Sequence, residues 1–130
     1  MEFALDHIGM MVSDVDESLA FYHDHFGFEA GDRAVIPRDG GLATLQYAHK
    51  DGITLEFVQP HAGYTPQGAP PIHISFRVKD INAEIARLKA EGVVFDRADE
   101  VPLTGRTPKH RLAFCVGPAM ERIELMCVLD

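Results

Sequence analysis

Apolar positions alternate and then recur at helical spacing twice along this chain, and the two passes match. Residues 3–12 read as a strand with apolar side chains on both faces, followed by Ser13-Asp14, whose side-chain oxygens suit the free amides of a helix start. Asp14 and Glu17 have capping-box spacing, Val15, Leu19, Tyr22 and Phe26 recur at helical intervals, and Gly27 is placed to end the helix. The second half repeats the plan: 72–78 as strand, Asp80 as cap, Ile81, Ile85 and Leu88 as the buried stripe, Gly92 as the stop. Strand candidates follow each helix, at 28–36, 42–49 and 52–59 and then at 93–97, 110–117 and 121–128. Each half is therefore expected to be βαβββ, giving an α+β fold of two tandem modules, 1–60 and 71–130, in one domain with a cupped mixed sheet. The Pro/Gly-rich stretch 60–71 reads as the linker, and 98–109 as a loop at one end of the sheet.

The repeat extends to residues with chemistry. HIGMMVSDV from His7 aligns with HISFRVKDI from His73, and TLEFV around Glu56 aligns with RIELM around Glu124. Strand parity sets Ile72, Ile74, Phe76 and Val78 on one face and His73, Ser75 and Arg77 on the other; Ile123, Leu125 and Cys127 oppose Glu124 and Met126. By the same count His7 lies opposite Ile8, Met10 and Val12, and Glu56 opposite Leu55 and Phe57. All four polar residues should point away from the helices, into the hollow if the sheets curve into a cup. Glutamates in apolar strands need a partner. Two imidazoles and two carboxylates can hold one divalent cation, and mixed nitrogen and oxygen donors suit Ni, Co, Zn, Fe or Mn.

Composition narrows the class. At 130 residues with 46% apolar content the chain fits one globular domain. A net charge of −8, without a basic run, argues against nucleic acid or an anionic membrane as partner. Neither a signal-peptide pattern nor a membrane-length apolar run is present in the sequence, so a cytoplasmic location is expected. Cys115 and Cys127 lie in apolar strand segments without CxxC spacing and read as buried free thiols. His23, His25, His49 and His61 read as solvated. His110 adjoins the 98–109 loop, where Arg106 and Lys109, with Arg111 beyond, bring positive charge that can hold an anionic substrate group.

These segments resemble the vicinal oxygen chelate superfamily, the fold shared by glyoxalase I, methylmalonyl-CoA epimerase, extradiol dioxygenases and fosfomycin- and bleomycin-resistance proteins. LDHIGMMVSDVDESLAFYHDHFGFE is similar to the family's opening strand and helix, GITLEFVQP to its first glutamate strand, IHISFRVKDINAEIARLKAEGV to the start of its second module and LAFCVGPAMERIELM to its closing hairpin. The resemblance implies His7, Glu56, His73 and Glu124 as ligands of one divalent metal. It also implies a lactoylglutathione lyase-like lyase or isomerase that acts on a small substrate with vicinal oxygens via an enediolate. Glu124 would be the base, with Glu56 at the opposite proton position. Met11, Arg77, Arg106, Lys109, His110 and Met126 would contact substrate. Met11 stands where glyoxalases of this size tend to carry an arginine for a glutathione carboxylate, and the turn before the last glutamate is GPAMER in place of DPDGY. The alternatives are an acyl-CoA epimerase of methylmalonyl-CoA type, a metal-free drug-binding protein, and an extradiol-type dioxygenase, the last opposed by the second carboxylate. A homodimer is expected, because superfamily members with two modules per chain commonly complete their cups across subunits.

Overall fold

The computed structural model describes residues 4–38, 40–66, 73–101 and 110–128; the side chains of 38, 97–101 and 110 are outside the description. The elements run β1 (Ile8–Met11), α1 (Val15–Phe26), β2 (Glu29–Arg38), β3 (Gly41–Lys50), β4 (Ile53–Pro60), β5 (Ile74–Arg77), α2 (Ile81–Ala90), β6 (Val94–Val101), β7 (His110–Val116) and β8 (Arg122–Val128). They form two four-stranded mixed sheets, ordered β1-β4-β3-β2 and β5-β8-β7-β6. The chain divides accordingly into two compact units, Met1–Pro66 and Gln67–Asp130. The tandem βαβββ plan holds.

The correspondence extends to individual hydrogen bonds. β1 pairs parallel to β4 and β5 parallel to β8, and each ladder is extended by one amide, Val12 N to Val58 O and Val78 N to Met126 O, both at 2.9 Å. The first strand after each helix carries a register shift, between Ala30 and Arg33 and between Phe95 and Arg97. Asp14 caps α1 by accepting from the amides of Asp16 and Glu17, and Gly27, at φ 76°, ends it in the left-handed conformation. Asp80 caps α2 by accepting from Ala83 N. At its C-terminus Gly92 N donates to Lys89 O and Val93 N to Leu88 O, a Schellman arrangement.

Three boundaries differ from expectation. The first strand of each module is shorter than 3–12 and 72–78, so His7 and His73 sit one residue before β1 and β5. β6 runs on to Val101 through a stretch expected to be loop. There the ladder to β7, with Glu100 opposite Arg111 and Val101 opposite His110, outweighs the poor strand propensity of DRADE. The remainder of that loop, 102–109, and linker residues 67–72 fall outside the described residues.

Each core lies between its helix and one face of its sheet. In the first unit Val12, Val15, Tyr22, Phe28, Leu55 and Phe57 are fully or nearly fully buried, and Tyr22 stacks on Phe57 at 5.4 Å. Ser18 is as buried as the stripe it interrupts, while Leu19 and Phe26 are half-buried. In the second unit the buried residues include Ile81, Ile85, Leu88, Ala113, Cys115, Ile123, Leu125 and Cys127. Both cysteines are buried free thiols, and burial pushes that of Cys115 up to about 12. Among the described residues no helix is long and apolar enough to cross a membrane.

Candidate metal centre

Alternation along the first and last strand of each module turns one histidine and one glutamate to the face away from the helix. In β1 the exposed positions are Gly9 and Met11, continuing the parity of His7, while Ile8 and Met10 are half-buried. In β8 the half-buried Arg122, Glu124 and Met126 alternate with the buried Ile123, Leu125 and Cys127. Parallel pairing then sets Gly9 opposite Glu56 and Ser75 opposite Glu124, so each histidine reaches the glutamate of the neighbouring strand. His7 Nε2 lies 3.6 Å from Glu56 Oε2, and His73 Nε2 lies 3.8 Å from Glu124 Oε1. The glutamate side chains are only 13% and 12% exposed.

These separations exceed a hydrogen bond. Two donors bound to one ion at roughly 2.1 Å stand about 3.0–3.5 Å apart, so each pair is spaced within a few tenths of an ångström of a shared cation's donors. Among the described residues no group of three or more His, Cys, Asp or Glu side chains is drawn together closely enough to hold a metal ion. The structure thus brings His7 to Glu56 and His73 to Glu124, one pair in each compact unit. A Cβ at Gly9 would fall 3.3 Å from Glu56 Oε1, so glycine leaves room beside that carboxylate.

The first pair has two supports that reading the residues in order did not find. His7 Nδ1 hydrogen-bonds Asp6 Oδ2 at 2.8 Å. With the proton on Nδ1, a neutral ring directs the Nε2 lone pair at Glu56, an arrangement suited to a cation between them. That bond to Asp6, with the negative charges of Glu56 and Asp6, raises the imidazole's affinity for a proton, though burial works the other way. The second support is Tyr47, whose hydroxyl donates to Glu56 Oε2 at 2.6 Å; the bond favours the neutral phenol and raises its pKa. A sequence signal for this contact exists. Asp51-Gly52, with φ of 50° and 79°, makes a two-residue hairpin turn that sets Lys50 opposite Ile53 and hence Tyr47 opposite Glu56.

In the second unit Phe114 lies opposite Glu124, with Arg122 stacked over its ring at 4.1 Å. Arg122 was not among the cationic residues singled out from the sequence, although it shares Glu124's strand face. Of those that were, Arg77 is exposed and opposite Met126, and His110 opens β7. Arg106 and Lys109 lie outside the described residues. Met11 is 43% exposed on the face of His7. His23, His49 and His61 are exposed, with hydrogen bonds to Phe28 O, Thr54 Oγ1 and Thr44 Oγ1; His25 is half-buried.

Known proteins share this architecture. Uncharacterized protein YwbC of Bacillus subtilis (strain 168) is 31% identical over 123 residues, 92% of this chain and 94% of that protein. A glyoxalase family protein from Enterococcus faecalis superposes with a TM-score of 0.76 at 20% identity, over 95% of this chain and 96% of that one. The fosfomycin resistance protein FosX from Listeria monocytogenes, in complex with Mn(II) and sulfate, gives 0.73 at 20% identity, over 99% and 95%. The trypanothione-dependent glyoxalase I of Leishmania major gives 0.72 at 23% identity, over 93% and 84%. At these identities the three structures speak for the fold. Residues 4–124 match the family model of the Glyoxalase/Bleomycin resistance protein/Dioxygenase superfamily, and the chain belongs to that superfamily.

Proposed function

We propose that this chain is a divalent-metal-dependent lyase or isomerase for a small substrate with vicinal oxygens, using His7, Glu56, His73 and Glu124 as the metal ligands. The observation that carries the reading is the His–Glu pair repeated in both units at 3.6 and 3.8 Å, on the sheet face away from the core. Bound there, a divalent ion would supply Lewis acidity to adjacent substrate oxygens. The protein's own part is to hold imidazole nitrogens and carboxylates in place and to receive the carbon-bound proton on a carboxylate, here assigned to Glu124. Glu56 is assigned the opposite proton role. Superfamily membership and the fold likeness to FosX, solved with Mn(II), support a metal-binding role.

Substrate preference is assigned to Met11, Arg77 and Met126 on the same strand faces as the pairs, together with Arg106, Lys109 and His110. Met11 is neutral and flexible where a glutathione carboxylate would want a guanidinium. It favours the second reading, an acyl-CoA epimerase of methylmalonyl-CoA type, over a glutathione-dependent lyase. The functional form is proposed to be a homodimer, checked by its mass in solution.

The test loads the purified protein with Ni²⁺, Co²⁺, Zn²⁺, Fe²⁺ or Mn²⁺, followed by elemental analysis. One ion per chain is expected, and Glu56→Ala or Glu124→Ala should lower metal affinity by more than the roughly 10–100-fold that an outer partner costs, and occupancy with it. Normal occupancy in either variant removes that residue from the ligand set. Absence of binding in the wild type moves the protein to a metal-free binder. Turnover of methylglyoxal–thiol adducts against epimerisation of acyl-CoA substrates then separates the two enzymatic readings.

A further inference from the structure

The duplicated half-sites carry an internal control. Tyr47 and Phe114 occupy the same place in the two modules, opposite Glu56 and Glu124 on the neighbouring strand. Both rings meet the module's histidine edge-on with centroids 6.0 Å apart, Tyr47 against His7 at 86° and Phe114 against His73 at 78°. The aromatic wall beside the imidazole is thus common to both halves. Between the two rings themselves the difference is one hydroxyl group. Tyr47 donates to Glu56 Oε2 at 2.6 Å, while Phe114 has no donor, and among the described residues Glu124 accepts no hydrogen bond.

A hydrogen bond to a carboxylate is short and directional. Glu56 therefore cannot turn away from His7 without losing the Tyr47 donor, whereas Glu124 can rotate without breaking such a bond. Resting on the metal-dependent reading above, we propose that Tyr47 is a positioning residue that holds the Glu56 carboxylate in place beside His7, a tie that Glu124, beside Phe114, lacks. The assignment follows from the hydroxyl and not from the ring, so Tyr47→Phe and Phe114→Tyr isolate it.

The experiment measures Mn²⁺ affinity by chelator competition in the full chain. Tyr47→Phe should weaken binding about tenfold or more, the usual cost of removing an outer partner of a ligand. In a Glu56→Ala background the same substitution should have no further effect, since the hydroxyl acts only through that carboxylate. A purely structural role would weaken binding in both backgrounds. Phe114→Tyr should tighten binding by giving Glu124 the donor it lacks.

A Tyr47→Phe protein that binds Mn²⁺ as tightly as wild type, or a loss that persists without Glu56, overturns the proposal and leaves the metal-dependent reading standing. Wild-type protein that binds none of Ni²⁺, Co²⁺, Zn²⁺, Fe²⁺ and Mn²⁺ overturns both. If Tyr47→Phe fails to fold, Phe114→Tyr decides, and unchanged affinity there counts against the proposal.

Discussion

The first module packs aromatic rings beneath its helix, Tyr22, Phe28 and Phe57, where the second packs Leu88, Ile123, Leu125 and two thiols. The faces that carry the histidine–glutamate pairs diverge in a parallel way. Around His7 and Glu56 stand Asp6 and Tyr47, each hydrogen-bonded to one of the pair. Around His73 and Glu124 stand Phe114 and Arg122, with cationic Arg77 on the same face. One βαβββ plan thus supports two environments, one with both members of its pair tied, the other lined by an aromatic ring and guanidinium groups. Duplication supplies the matched histidine–glutamate pairs, and on the proposed reading divergence lets the first half anchor a ligand carboxylate that the second leaves untied.

The largest expected effect tests whether the core contrast has an energetic counterpart. Phe57→Ala should cost about 3–5 kcal/mol and Leu125→Ala about 2–5 kcal/mol in urea denaturation. Phe57 should lie toward the top of its range because it also loses the Tyr22 stack, worth roughly 0.5–1.5 kcal/mol. If Leu125→Ala proves the more damaging of the two, the aromatic core is not what distinguishes the first module.

Much of this architecture is legible in the sequence because its signals are local. Asp14, Gly27, Asp80 and Gly92 mark helix ends through backbone geometry that each residue type alone favours, and strand parity assigns every named ligand to its face. The histidine–glutamate pairs follow from the repeat. The supports of the first pair required more: Tyr47 meets Glu56 only through the register set by Asp51-Gly52, and the bond from Asp6 to His7 depends on rotamers. The stacking of the Arg122 guanidinium on Phe114 depends on the pairing of β7 with β8, which no local signal marks. β6 extends past its expected end because pairing with β7, a nonlocal interaction, overrides composition.

A smaller effect sharpens the contrast through pH. Both cysteines belong to the second unit, and the buried Cys115 thiol is pushed up to about 12 by burial first, with the charge of Asp96 adding to it. The unfolded chain releases that proton near the ordinary value of about 8.5. Above it the folded state binds more protons than the unfolded one. Stability is therefore fully present below the ordinary value and is lost as pH rises toward the folded value, by up to about 1.4 kcal/mol per pH unit. Denaturation of wild type and Cys115→Ala between about pH 8 and 10 isolates this term. The wild type should lose stability more steeply, and parallel curves would mean that the thiol ionises in the folded state as readily as in the unfolded chain.

The smallest expected effect compares the helix starts. At α1 three early amides have side-chain acceptors: Val15 N donates to Gln59 Oε1 at 2.9 Å, and Asp16 N and Glu17 N donate to Asp14 Oδ1 at 2.9 and 3.2 Å. At α2 Asp80 Oδ1 accepts from Ala83 N at 3.0 Å. The first turn of α1 carries Asp16 and Glu17, that of α2 Glu84 alone. Removing an N-cap acceptor typically costs about 0.5–2 kcal/mol. Asp14→Ala frees two donors and should fall in the upper half of that range, Asp80→Ala in the lower. Asp14→Asn and Asp80→Asn should retain most of the capping energy, because an amide oxygen accepts the same bonds, and lose only the attraction of the carboxylate to the positive end of the helix, about 0.3–1 kcal/mol. Equal losses in the two alanine variants would show that the second amide on Asp14 adds nothing, and that the better-supported start of the first module is geometric without being energetic.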